Sequence, residues 1–442
     1  MIFAYILAWA ITLWIASRSA SRFLFFFVIC QFLFVGLGLT LFPLVGLSRV
    51  VQSFPAFRIE NLGVGDFSFA NLLVLLGCGT AVLLVRGVES TRGGEKKAVG
   101  EVSSQVQRGP YYLCSLVAYG VSFYFIIKNY SSYQMLLMAV NPDVLTDFVD
   151  LRYQAVSNYL VTLLVYNFAP AVSLLALLNF SMSRRRKDLL VFVFSFVVTA
   201  TALALTFQKR PLMVYVGACV LLWYLFERWR QGLDVRIDYK RLLARGWIYV
   251  PLMIGVVFFF YYVQTGHRFY MSFVETIPVL LETIVTRIVG RLSLPAAMYV
   301  DFFPNFAPHY GLTNVGLFST LFGFELFEDS RVVFAAYAYG GQIGAVAASV
   351  FIDAYGQGGV PFVILYGIIV AALILGFDRI SEISENGPKR IYSVVFGVVF
   401  FYYLSQASVY RSALGYGGVF YWLVWAWCIK RSVEHWNAKL AR

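Results

Sequence analysis

Charge is what this chain has least of. Only 13% of its 442 residues are Asp, Glu, Lys or Arg, where water-soluble domains carry about 25%. A chain so poor in charge cannot clothe a soluble protein of this length. Nucleotide and hydrolase signatures are missing as well. There is no phosphate-binding glycine loop, no dinucleotide fingerprint, no H-E-x-x-H, no G-x-S-x-G and no D-x-D. That removes the commonest ways of using a nucleotide, a zinc-bound water or a metal-held nucleotide sugar. Cysteine is scarce too: Cys30, Cys78, Cys114, Cys219 and Cys428 all lie in apolar stretches, without C-x-x-C spacing. They read as small buried hydrophobes, and no disulfide, metal site or cofactor is expected.

What the chain has instead is hydrocarbon. It is 60% hydrophobic and 18% aromatic, with a mean hydropathy of +0.74. Apolar runs near 20 residues recur along it, the length that crosses a bilayer as a helix. A membrane barrel would show shorter alternating segments. The expected fold class is therefore all-α: a polytopic integral membrane protein of about 11 transmembrane helices in one domain. The spans fall near 1–17, 23–47, 68–88, 110–128, 159–180, 189–207, 211–226, 247–264, 360–377, 391–409 and 414–429. The first lacks a basic leader and a small-residue cleavage site, so a retained helix is expected there.

The net charge of +12 does not call for nucleic acid. Lys and Arg gather in short loops between spans: 24 of the 35 lie in 18–22, 86–108, 184–187, 228–245, 379–390 and 430–442. The positive-inside rule then puts these loops in the cytoplasm, together with the C-terminus, and the N-terminus outside. Loops so short and basic leave no room for a nucleotide-using domain. A reaction here would draw on a lipid-borne, pre-activated substrate from the outer side.

One stretch breaks the rhythm of spans. Residues 265–359 mix charge with Phe, Tyr, Leu and Val, which a solvated linker would not do. The stretch is expected to be a folded cap on the outer face. Within it, Phe273 to Leu292 reads as a helix with Arg287 and Arg291 at i,i+4 on one face. Two guanidinium forks so placed can grip a pyrophosphate, or can serve ion pairs within the protein. Arg268 beside His267 and Arg411 between the last two spans are further outward cations. Lys209 and Arg210 sit in a tight turn before Pro211. They are either interface anchors or phosphate contacts at a helix start. A departing pyrophosphate needs its charge neutralised, and an attacking sugar hydroxyl needs a general base. Asp353, Asp301, Glu325 and His309 are candidates for the base. Asp353 leads them because it lies in Asp353-Ala-Tyr-Gly-Gln-Gly-Gly, immediately before a span; the other reading is a charge complementing a helix N-terminus.

These positions carry a resemblance. Thr206-Phe207-Gln208-Lys209-Arg210-Pro211 between two spans, the long outer loop, Ser349 to Gly359 leading into 360–377, and Tyr410-Arg411 resemble bacterial oligosaccharide repeat-unit polymerases of the Wzy, or O-antigen polymerase, type. The branch they are most similar to is that of the enterobacterial common antigen polymerase. The resemblance spans nearly the full length and rests on layout. It implies a fold similar to the membrane-embedded C-type glycosyltransferases. It also implies metal-independent transfer of a growing glycan from undecaprenyl pyrophosphate to an incoming lipid-linked repeat unit, in surface polysaccharide biosynthesis at the inner membrane. The partners it implies are membrane lipid, a chain-length regulator and a flippase. Lys209, Arg210, Arg268, Arg287, Arg291 and Arg411 become expected diphosphate contacts, and Asp353 and His309 expected catalytic residues. The alternatives are an O-antigen ligase-type glycosyltransferase, with the same donor and another acceptor, and a transporter or flippase of lipid-linked sugar.

Overall fold

The computed structural model of the chain describes residues 1–45, 62–91, 108–129, 158–206, 209–233, 235, 278, 293–315, 321–338, 346, 348–383 and 387–430. Among them every regular element is a helix. Seven helices are long and apolar enough to cross a membrane: Leu24–Pro43, Val64–Thr91, Gly109–Lys128, Leu160–Ser183, Arg186–Ala204, Arg210–Arg230 and Val350–Glu382. Ile2–Ser17 and Gly418–Cys428 are apolar but shorter, and Gly387–Leu404 adds an 18-residue helix. The chain is thus an all-helical polytopic membrane protein. Helices occur at the expected spans except the one near 247–264. That span lies outside the described residues, as do Arg268, Arg287, Arg291 and all of the Phe273 to Leu292 stretch but Pro278.

The chain divides into two compact units. The first comprises Met1–Lys97, Leu281–Arg379 and Phe400–Ser412. Its innermost helix is Ser293–Phe302, in which every residue but Asp301 is buried. A helix apolar on all sides needs neighbours on all sides. Val64–Thr91 and Asp329–Tyr337 pack against it. Gly77 permits one of the close approaches in this unit, since a Cβ there would lie 2.2 Å from the Phe351 ring. Two hydrogen bonds join buried polar side chains across helices of this unit. The Trp9 indole donates to Asn71 Oδ1 at 3.0 Å, and the Asn71 amide donates to Thr40 Oγ1 at 3.0 Å.

The second unit comprises Ala98–Leu280, Ile380–Val399 and Ala413–Arg442. Ala169–Ser183 is its buried helix, flanked by Arg108–Lys128, Arg186–Ala204 and Lys209–Arg230. Neutral groups are hydrogen-bonded in its interior among the described residues. Ser173 and Tyr215 share a 2.6 Å hydrogen bond, the Tyr392 hydroxyl donates to Ala171 O at 3.2 Å, and the Asn167 amide donates to Gly415 O at 3.1 Å. All five cysteines are buried free thiols.

Candidate active site

The site begins with a broken helix. Val350–Ile383 leaves helical geometry at Gly358 and at Gly359, where φ is +70° and ψ −157°. Only glycine adopts that combination without strain. Pro361 follows and has no N–H, so Gln357 O loses its helical partner. The loop after Phe302 makes good the loss. Gly311 N donates to Gln357 O at 2.8 Å and Tyr310 N donates to Gly356 O at 3.2 Å. The loop is thereby pinned to the break, and its side chains meet those of the short helical segment that carries Asp353.

Asp353 is 1% exposed and fully engaged. Its Oδ1 accepts from the Tyr310 hydroxyl at 3.2 Å and from the Asn314 amide at 3.3 Å. Its Oδ2 accepts from Gln357 Nε2 at 2.9 Å. Gln357 in turn accepts from the Tyr366 hydroxyl at 2.6 Å. Asp353 lies in the first turn of Val350–Ile383, where its charge also complements the helix N-terminus. It is the hub of a buried network drawn from three parts of the first unit.

A second carboxylate lies in the same unit, and the sequence does not single it out for chemistry. Asp329 is 0% exposed. Its Oδ1 accepts from Arg411 Nη2 at 2.7 Å, and its Oδ2 accepts from the Tyr299 hydroxyl at 2.5 Å. Arg411 Nη2 also reaches Ser330 Oγ at 3.4 Å. The Arg411 side chain is 32% exposed, and it opens the π-helical turn Arg411–Gly415, a geometry found often at functional positions. Burial works against its charge, but the Asp329 and then the Asp353 carboxylates outweigh that and hold its pKa above the ordinary arginine value. Burial first, then the same two carboxylates, raises the Tyr299 and Tyr310 hydroxyls well above an ordinary phenol. Both tyrosines keep their protons and act as donors.

No known protein family, curated protein or solved structure matches this chain. The site is therefore read from its own geometry. Of the residues singled out by sequence, Asp353 and Arg411 come together in one cluster of the first unit, joined electrostatically and flanked by Asp329, Tyr299 and Tyr310. His309 lies beside it in an aromatic setting, with Nδ1 3.3 Å from Gly356 O and its ring edge-on to Tyr355 at 5.5 Å. Asp301 accepts from the Tyr337 hydroxyl at 2.5 Å, and Glu325 is exposed. Lys209 and Arg210 belong to the other unit, in the first turn of Lys209–Arg230. There Arg210 lies over the Tyr416 ring, 5.9 Å from its centroid.

Among the described residues no three His, Cys, Asp or Glu side chains meet as a metal site would require. Chemically, the cluster offers a carboxylate surrounded by donors and a partly open guanidinium fixed by a second carboxylate. Gln357 was not singled out by sequence; its i,i+4 spacing from Asp353 is the signal that points to it. Asp329 is 82 positions from Arg411, and no local pattern joins them.

Proposed function

We propose that the protein is a glycosyltransferase that polymerises lipid-linked oligosaccharide repeat units. The growing glycan passes from undecaprenyl pyrophosphate to an incoming lipid-linked unit on the outer side of a bacterial inner membrane. One observation carries this reading: a partly exposed guanidinium, Arg411, shares a buried cluster with a carboxylate, Asp353, inside an all-helical membrane protein. Those are the two functions the reaction needs. The acceptor hydroxyl attacks the anomeric carbon and gives its proton to Asp353. The bond from that carbon to the diphosphate oxygen breaks, and the bonding electrons leave with the diphosphate. Arg411 offsets the charge that develops there, because a fixed cation in a low-dielectric site needs no reorganisation when charge appears. Arg268, Arg287 and Arg291 are the further cations of this reading. The acceptor reaches Asp353 by displacing one of its present donors, and Gln357, beside the helix break, is the one that turns aside.

The test is a glycan ladder from cells lacking the protein, set beside ladders from cells expressing it and its Asp353→Asn variant. Wild type restores long chains. The variant, which keeps the shape and loses the base, lowers chain formation about a hundredfold or more, while single repeat units still reach the outer face. Normal chain lengths from Asp353→Asn would remove the base role. A buried ion pair such as Arg411–Asp329 also suits a transporter of lipid-linked sugar. If repeat units fail to appear outside when the protein is absent, that second reading takes over.

A further inference from the structure

We infer that Asp329 is a positioning residue: it holds the Arg411 guanidinium so that its Nη1 and Nε donors face an incoming phosphate. The inference rests on the reading of Arg411 as a diphosphate contact and assigns that contact its support. Four observations lead to it. Asp329 is fully buried, and each of its oxygens already accepts a strong hydrogen bond, from Arg411 and from Tyr299. Unlike Asp353, whose donors are all neutral, Asp329 is bound to the guanidinium itself, so its charge is committed to Arg411 and its work is electrostatic and geometric. Among the described residues Arg411 uses only Nη2 on protein acceptors, Asp329 and Ser330. Among the described residues Nη1 and Nε have none, and the side chain is one-third exposed.

A guanidinium carries five N–H donors in a rigid plane. Fixing one nitrogen fixes the direction of the rest. An unanchored arginine beside hydrocarbon would turn toward the nearest interfacial water or lipid phosphate, and ordering it would weaken every binding event. Asp329 removes that freedom in advance. Tyr299 does the same for Asp329, since its hydroxyl keeps its proton and donates it to the carboxylate. The order of support runs from the buried helix Ser293–Phe302 through Tyr299 and Asp329 to the guanidinium.

The experiment titrates full-length, detergent-purified protein with farnesyl diphosphate, with inorganic phosphate and farnesol as controls, for wild type, Asp329→Asn, Arg411→Gln and the double variant. Asp329→Asn is expected to weaken diphosphate binding about tenfold, the effect of losing a charged hydrogen bond. In the Arg411→Gln background, adding Asp329→Asn is expected to change nothing further, because its effect passes through the arginine. Tyr299→Phe, which leaves the carboxylate in place, gives a smaller loss in the same direction and serves if Asp329→Asn does not fold. Wild-type binding from Asp329→Asn overturns the inference, as does a double variant weaker by the product of the single effects. So does a wild type that does not bind the diphosphate. Tenfold weakening by Asp329→Asn, in a protein whose loss leaves the glycan ladder unchanged, keeps the positioning role and removes the polymerase reading. An unchanged Asp329→Asn beside a wild type that builds the ladder does the reverse.

Discussion

Arg210 and Arg411 stand for two ways of keeping a cation next to hydrocarbon, one in each compact unit. Arg210 sits in the first turn of a membrane helix and rests over the ring of Tyr416. No carboxylate pairs with it among the described residues. A ring face holds a cation with about 0.5–1 kcal/mol at a site open to water, and the side chain can turn away at little cost. Arg411 is held by a carboxylate with no exposure at all, which is itself held by a tyrosine. Among the described residues the second unit hydrogen-bonds neutral hydroxyls and amides inside, whereas the first places two carboxylates and a guanidinium together. A buried charge is expensive unless its partners are fixed. The first unit has gone to that expense, which makes its cluster the candidate site.

The comparison can be broken most severely at Arg411. Arg411→Ala leaves Asp329 buried without its counter-charge and should lower stability by about 3 kcal/mol, the low end for a broken buried pair because the arginine is partly exposed. Thermal unfolding in detergent measures this, and long glycan chains should vanish together with the loss. Gly359→Ala comes next. Its Cβ would meet His309 Nε2 at an ordinary 3.4 Å, so the cost is conformational, about 2 kcal/mol for a backbone that only glycine adopts easily. A lowered unfolding temperature with diphosphate binding intact would show that the Asp353 turn and the Arg411 anchor are separable. Arg210→Ala should cost least, about 1 kcal/mol or under. If it destabilises as much as Arg411→Ala does, the contrast between the two arginines is wrong.

The fold was legible in the sequence wherever one apolar run carried the information. Each described span sits where hydropathy puts it, because a bilayer-crossing helix satisfies its own backbone and needs no distant partner to be recognised. The site was legible in part. Asp353 stood out because an acid precedes a glycine-rich break and a span, and Arg411 because a lone cation lies between two spans. Asp329 did not. In Glu328-Asp329-Ser330-Arg331 it looks like one charge in a solvated run, and its neighbours bear that out: Glu328 and Arg331 form an exposed ion pair at 2.7 Å. Only burial sets Asp329 apart from them. Tyr299, Tyr310 and Asn314 were equally silent, since Tyr is common in apolar stretches and Asn in loops, and each gains meaning only from what it faces.

The sequence by itself therefore determined the class of the protein, the described helical spans and the break at Gly358 and Gly359 within Val350–Ile383. All of these are local: hydrophobic length sets a span, and Gly358, Gly359 and Pro361 set a break, whatever surrounds them. The tertiary structure alone decided that Asp329 meets Arg411, that Asp353 faces Tyr310, Asn314 and Gln357, and that Arg210 meets a ring instead of an acid. The physical reason is that a charge's partner and its burial are properties of the packed interior. They depend on residues tens of positions away, and no periodicity along the chain encodes them.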